Sequence, residues 1–159
     1  MSRQFFASQQ RTLRLAHEFL EDTRAEIARA AAKGMDLPAR IRTVHDRTGH
    51  ASPEFRTLFV PIPEGAEGAS PSVLSGAIAS FAARRPPSCL LLTLDVVGTG
   101  PDGEPQPLLI AEARDRAGTR MFLMQPFRIA ERRVVWEEPI EGGWQDPGGE
   151  EMILDAAFG

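Results

Sequence analysis

The stretch DVVGTGPDGEPQP, Asp95–Pro107, decides how the chain is read. Gly98, Gly100 and Gly103 spell G-x-G-x-x-G directly after the apolar run Leu90–Val97, which is the wording of a dinucleotide-binding fingerprint. In that fingerprint the third glycine opens a helix, whose free N–H groups and dipole hold the pyrophosphate. Here Gly103 is followed by Glu-Pro-Gln-Pro. Pro105 and Pro107 push Glu104 and Gln106 out of helical geometry. Pro101 removes an N–H from the supposed cradle, and the following LLIAEAR is strand-like. The motif carries its mechanism only in a strand–turn–helix context. The stretch therefore reads as a hairpin loop in which glycines supply positive φ and Pro101-Asp102-Gly103 makes a tight turn. Nucleotide binding is not expected there, and no cofactor is.

Working outward toward the C-terminus, the chain reads as a meander. Leu90–Val97 is apolar enough for a central strand, Pro107–Arg114 is the next, and Asp115-Arg116-Ala117-Gly118 is a turn signal, with Asp first and Gly fourth. Thr119–Phe127 and Arg132–Glu137 complete it. Residues 138–159 read as an acidic Gly/Pro-rich tail, with a short helix over Glu150–Phe158.

Toward the N-terminus, FRTLFVPIP alternates, with Leu58, Val60 and Ile62 on one side and Pro61 and Pro63 marking an edge or a strand end. A loop, EGAEGAS, leads to Ser70-Pro71, a cap followed by proline at the first helical position. Leu74, Ala77, Ile78 and Phe81 make that helix's apolar face, and Pro86-Pro87 ends it. The strand before this helix can pair in parallel with the one after it, since a helical crossover permits that.

Residues 3–33 form a long helix pattern without Pro or Gly, ended by Lys33-Gly34. Phe6, Leu13, Leu20 and Ile27 recur at seven, and Ala16, Thr23 and Ala30 follow three behind the last three. This stripe reads either as a dimer seam or as a surface helix packing on its own domain. Asp36 can cap a second helix with Pro38 in its first turn, Leu37, Ile41 and Val44 on one face and Gly49 at its end.

The expected fold is thus one α+β domain over 1–159: a helical hairpin (1–49), then a β-α-β-β-β(-β) unit (55–137) with a mostly antiparallel sheet, then the tail. A chain of 159 residues buries enough surface to hold a core without staples. A single cysteine, Cys89, allows no intrachain disulfide. No stretch approaches the length of a membrane span, and the first residues lack a signal peptide's apolar run, so the cytoplasm is the default.

Net charge is −4 but uneven: residues 1–56 carry ten bases against seven acids, and residues 57–159 eight against fifteen. Seventeen of the eighteen basic residues are arginine. This suits phosphate or carboxylate recognition, or reflects the arginine-rich codon usage of a bacterial-like composition. Arg11, Arg14, Arg24, Arg29, Arg40, Arg42 and Arg47 interleave with Glu18, Glu21, Asp22, Glu26, Asp36 and Asp46. That mix reads as a salt-bridged face rather than a phosphate track, so nucleic acid is not an expected partner.

Few residues point to chemistry. His45, Asp46 and His50 in HDRTGH could ligate zinc, with His17 joining from the neighbouring helix. Positions five apart diverge by about 140° on a helix, against the i, i+4 spacing of zinc helices. Otherwise His45 caps a helix and His50 is a loop residue. Cys89 could act as a nucleophile beside a histidine, but it begins an apolar strand, where a cysteine is ordinarily a buried hydrophobe. Asp95, Glu112 and Asp115 cluster near one hairpin. Asp95, on the face of Leu91 and Thr93, is a candidate general base with a raised pKa, or a partner for Arg114 across the hairpin. Two functions follow. One is a non-enzymatic protein-interaction or regulatory module that self-associates, as a homodimer through Phe6, Leu13, Leu20 and Ile27, or binds another protein. The alternative is a small enzyme or ligand-binding protein using Asp95 or the His45/Asp46/His50 cluster.

Overall fold

A computed structural model describes residues 3–60 and 70–159, with all their side chains except those of Gln4 and Phe6. The expectations for Pro61, Ile62, Pro63 and the EGAEGAS loop up to Ser70, and for the Phe6 side chain, lie outside the described residues. The chain runs α1 (Arg3–Ala32), β1 (Arg40–His45), β2 (Glu54–Phe59), α2 (Pro71–Arg84), β3 (Cys89–Thr99), β4 (Pro105–Asp115), β5 (Arg120–Ala130) and β6 (Arg133–Trp136). Two short 3-10 turns follow, Ile140–Gly142 and Ile153–Ala157. All six strands join one sheet in the order β2-β1-β3-β4-β5-β6, and every neighbouring pair is antiparallel.

Beta3 lies inside this sheet because it has two apolar faces. Leu90, Leu92 and Leu94 pack with Ile41 of β1, with Leu74, Ile78 and Ala82 of α2, and with Leu154 of the last turn. On the other face Cys89 and Leu91 meet Ala16 and Phe19 of α1, with Val44, Ala113 and Met121. Farther along α1, Leu20 and Ile27 sit over Leu109, Ala111, Leu123 and Phe127. The alanines at 111 and 113 remove bulk where the helix crosses. The result is three layers: α1, the sheet, and α2 with the C-terminal turn.

The Asp95–Pro107 stretch is the β3–β4 hairpin. Thr99 pairs with Pro105, and the Gly100 amide donates to Glu104 O (2.8 Å). The Asp102 carboxylate accepts from the Glu104 amide at 3.1 Å. Gly103 takes φ +81°, which an L side chain resists. Gly98 lies in the strand, where a Cβ would meet Leu108 Cδ1 at 2.8 Å. Strand continues into strand, so no helix N-terminus exists for a pyrophosphate. Replacing Thr99–Asp102 with another hairpin loop is expected to change stability by no more than about 1 kcal/mol, as for surface changes generally. A thermal shift with a dinucleotide that this replacement abolishes would reinstate the cradle.

Three expectations are corrected. The second helix of the N-terminal hairpin is absent: residues 40–45 are β1, and 36–39 belong to no helix or strand. The Leu37, Ile41, Val44 spacing fits a helix face, but in a strand the same spacing puts Ile41 and Val44 on opposite faces. Ile41 faces α2 and Val44 faces α1, so a strand buries both where a helix would bury one side. Next, β2 and β3 do not pair in parallel, because β1 lies between them and pairs antiparallel with each. Finally, 138–159 is not a tail. Arg120 holds it through Gly148 O (2.8 Å), Glu150 O (2.6 Å) and Asp155 (2.7 Å). Met152 and Leu154 are buried, and the expected helix is the 3-10 turn Ile153–Ala157. Among the described residues no helix is long and apolar enough to cross a membrane.

Candidate interaction surfaces

The polar candidates are mostly tied into the framework. Asp46 receives two hydrogen bonds from Arg11 (2.6 and 3.2 Å), which hold its pKa below the usual carboxylate value. His45 is a buried strand residue rather than a helix cap, with Nε2 3.2 Å from Arg85 O, and Nδ1 has no partner among the described residues. His50 and His17 are exposed. Among the described residues no three His, Cys, Asp or Glu side chains are placed to share a metal ion. Burial pushes the Cys89 thiol up to about 12, so it is no thiolate nucleophile near neutrality.

Glu112 and Asp115 are structural anchors. Glu112 accepts the amides of Ile153 (3.1 Å) and Leu154 (3.0 Å), pinning the last turn to β4; its burial outweighs these bonds and raises its pKa. Burial also works to raise Asp115. Hydrogen bonds from Thr119, Thr12 and Ser8 outweigh it and leave the group below its usual value. Arg114 faces Leu90 and bonds to Asp155 (3.2 Å), while Asp95 faces Leu109, so the pairing of Asp95 with Arg114 does not form.

Asp95 itself lies beside Ile27, Met35, Leu37, Phe127 and Ile129, and partial burial there raises its pKa. Its carboxylate still reaches solvent. The recess holds about 20 Å³, the space of a single water rather than of a substrate.

The arginines of the first fifty residues are largely paired. Arg24 and Arg29 pair with Glu21 and Glu26 along α1, Arg11 with Asp46, and Arg42 with Asp22 at 2.7 Å. Arg42 is the most integrated. Its guanidinium lies between the rings of Phe19 (4.8 Å) and Phe55 (5.0 Å), and its Nε donates to Thr57 at 2.7 Å.

The apolar candidates divide. Leu20 (1% exposed) and Ile27 (5%) are covered by the chain's own sheet, so they cannot form a dimer seam. Leu13 is 40% exposed. A seven-residue repeat drifts about 20° per heptad around a straight helix, which carries Leu13 toward the rim of the sheet contact. There Leu13, Gln10, Arg14 and His17 border an open apolar hollow of about 440 Å³ closed on one side by Trp144. The Trp144 loop is held to β5 by paired amide–carbonyl bonds between Phe122 and Gln145 (3.0 and 2.8 Å).

The second surface was missed by the sequence reading. Beta2 forms one edge of the sheet. Leu58 and Val60 face inward as expected, but the opposite side carries Phe55 (54% exposed), Thr57 and Phe59 (55%). The signal was the spacing of Phe55 and Phe59 in FRTLF, which puts two aromatics on the side opposite Leu58 and Val60. The chain matches no model of a known family, no curated protein and no solved structure.

Proposed function

We propose that this chain is a non-enzymatic protein-interaction module that self-associates. One observation carries the reading: the β2 edge presents Phe55 and Phe59 on one exposed face with no described strand beyond it. An unpaired edge strand is a template for another chain, and exposed aromatics supply the apolar area that association needs. The ionisable groups support the same reading, since Asp46, Glu112, Asp115 and Asp155 hold elements of the chain together rather than converge on a cavity. A site built on Asp95 has its raised pKa in favour, but no room for a substrate.

Sedimentation equilibrium across roughly 1–100 µM, a range in which modest interfaces associate, is expected to show the mass rising from 17.4 kDa toward twice that value. A single-chain mass throughout would remove the self-association reading.

A further inference from the structure

The inference rests on the self-association reading and specifies its geometry. We infer that two copies join β2 to β2 about a two-fold axis at Thr57, with Phe55 of each copy opposite Phe59 of the other, making one continuous twelve-stranded antiparallel sheet from the two six-stranded ones.

The backbone sets which groups are available. The Val60 amide donates to Ala39 O at 2.9 Å, and β1 and β2 run in unbroken register from Arg40 opposite Phe59 to His45 opposite Glu54. Hydrogen-bonded and non-bonded positions alternate along an antiparallel pair. Leu58, Arg56 and Glu54 therefore spend their N–H and C=O groups on β1, and those of Phe55, Thr57 and Phe59 point to the open side. A second strand bonds to those three residues.

Only one symmetric register uses all three. Across a two-fold axis normal to the sheet, a residue must face one that points to the same side. With Thr57 on the axis, Thr57 faces itself and Phe55 faces Phe59, so the three residues of each copy donate and accept within the new ladder. Shifting the axis to Arg56 sets two like charges directly opposite and brings Phe59 against Pro53, which has no N–H. Shifting it to Leu58 leaves Phe55 with no described residue opposite it. In the Thr57 register Pro53 falls just outside the ladder, so it delimits it rather than blocks it. Its cross-strand pairs are aromatic–aromatic and Thr–Thr, both favourable, and Arg56 faces Leu58 with no like charge opposed.

The test is a charge exchange that works only in this register. Phe59→Lys and Phe55→Glu each remove both aromatic pairs of the dimer and are expected to weaken it at least about tenfold, since such pairs contribute beyond their buried area. In the double variant Phe55→Glu/Phe59→Lys, Glu faces Lys across the interface twice, and the dimer should be tighter than with either single change. Thr57→Cys provides an independent readout. Hydrogen-bonded partners lie about 5.5 Å apart between Cα atoms, within disulfide reach, so diamide, taking up the two electrons and two protons, should link two chains through position 57. Native Cys89 is buried and does not compete. A wild-type dimer that ignores Phe59→Lys, a double variant no tighter than the singles, or a dimer that Thr57→Cys fails to link would overturn the register while leaving self-association intact. A dimer lost instead on Leu13→Glu would place the interface at the Trp144 hollow. A wild-type monomer would overturn both readings.

Discussion

Leu20→Glu is expected to leave no cooperatively folded protein at 25 °C, whereas Leu13→Glu, seven residues earlier on the same helix, should melt close to wild type. Both leucines belong to one heptad stripe, and the sequence does not separate them. The structure does: Leu20 is 1% exposed over Leu109, Ala111 and Leu123, and Leu13 is 40% exposed. Truncating a buried leucine costs about 2–5 kcal/mol. An ionised carboxylate at that site adds the penalty of a buried charge with no partner. The sum is comparable to the whole stability of a domain, roughly 5–15 kcal/mol. At Leu13 the expected loss is under about 1 kcal/mol, because the new carboxylate can reach water. Thermal melts followed by circular dichroism at low protein concentration separate the cases. A Leu20→Glu protein with a wild-type melt would mean that α1 does not pack on its own sheet.

Asp155→Ala is the second large effect. Asp155 accepts from Arg120 Nε (2.9 Å) and NH2 (2.7 Å), from Arg114 Nε (3.2 Å) and from the Met152 amide (2.8 Å). Hydrogen bonding to Arg120 is the main reason its pKa falls to about 2. Against an unfolded value near 3.9, and at 1.36 kcal/mol per unit, the ionised form contributes about 2–3 kcal/mol. For a chain of this size that corresponds to roughly 4–12 °C in melting temperature. The folded pKa is the lower one, so this stability is fully present above about pH 4 and disappears as pH falls through about 2. Glu112 and Asp95, with raised values, act in the opposite sense. Urea midpoints of wild type and Asp155→Ala should therefore differ at pH 7 and converge below pH 4. A gap unchanged in acid would assign the effect to packing rather than to charge.

Elements whose signals are local were legible in the chain. The long helix follows from 30 residues without Pro or Gly and the Gly34 stop. The start of α2 follows from Ser70, whose side chain accepts from the Val73 amide, and Pro71. The hairpin at Asp95–Pro107 follows from the prolines that forbid a helix after Gly103. Beta3 was readable as central because its run is apolar on both faces.

Beta1 was not legible. Ile41 and Val44, three apart, match a helix face and not a one-sided strand, and the segment's two arginines read as surface. Arg42 is in fact buried, because Phe19, Phe55, Asp22 and Thr57 surround its guanidinium, and those residues come from two other elements, α1 and β2. The last turn was expected as a short helix over Glu150–Phe158, but its docking was hidden, since what anchors it is Glu112 and Arg120, more than thirty residues away.

By itself, then, the sequence determined the long helix, the helix capped by Ser70, the hairpins from β3 to β6 and the strand, rather than helix, that follows Gly103, because each depends on neighbours within a few residues. Only the tertiary structure decided that Leu20 and Ile27 belong to the chain's own core, that Asp95 and Arg114 stand apart, and that Phe55 and Phe59 remain at an open edge. Those outcomes depend on which strands become neighbours and where the helix crosses the sheet, and the burial of a distant partner sets them.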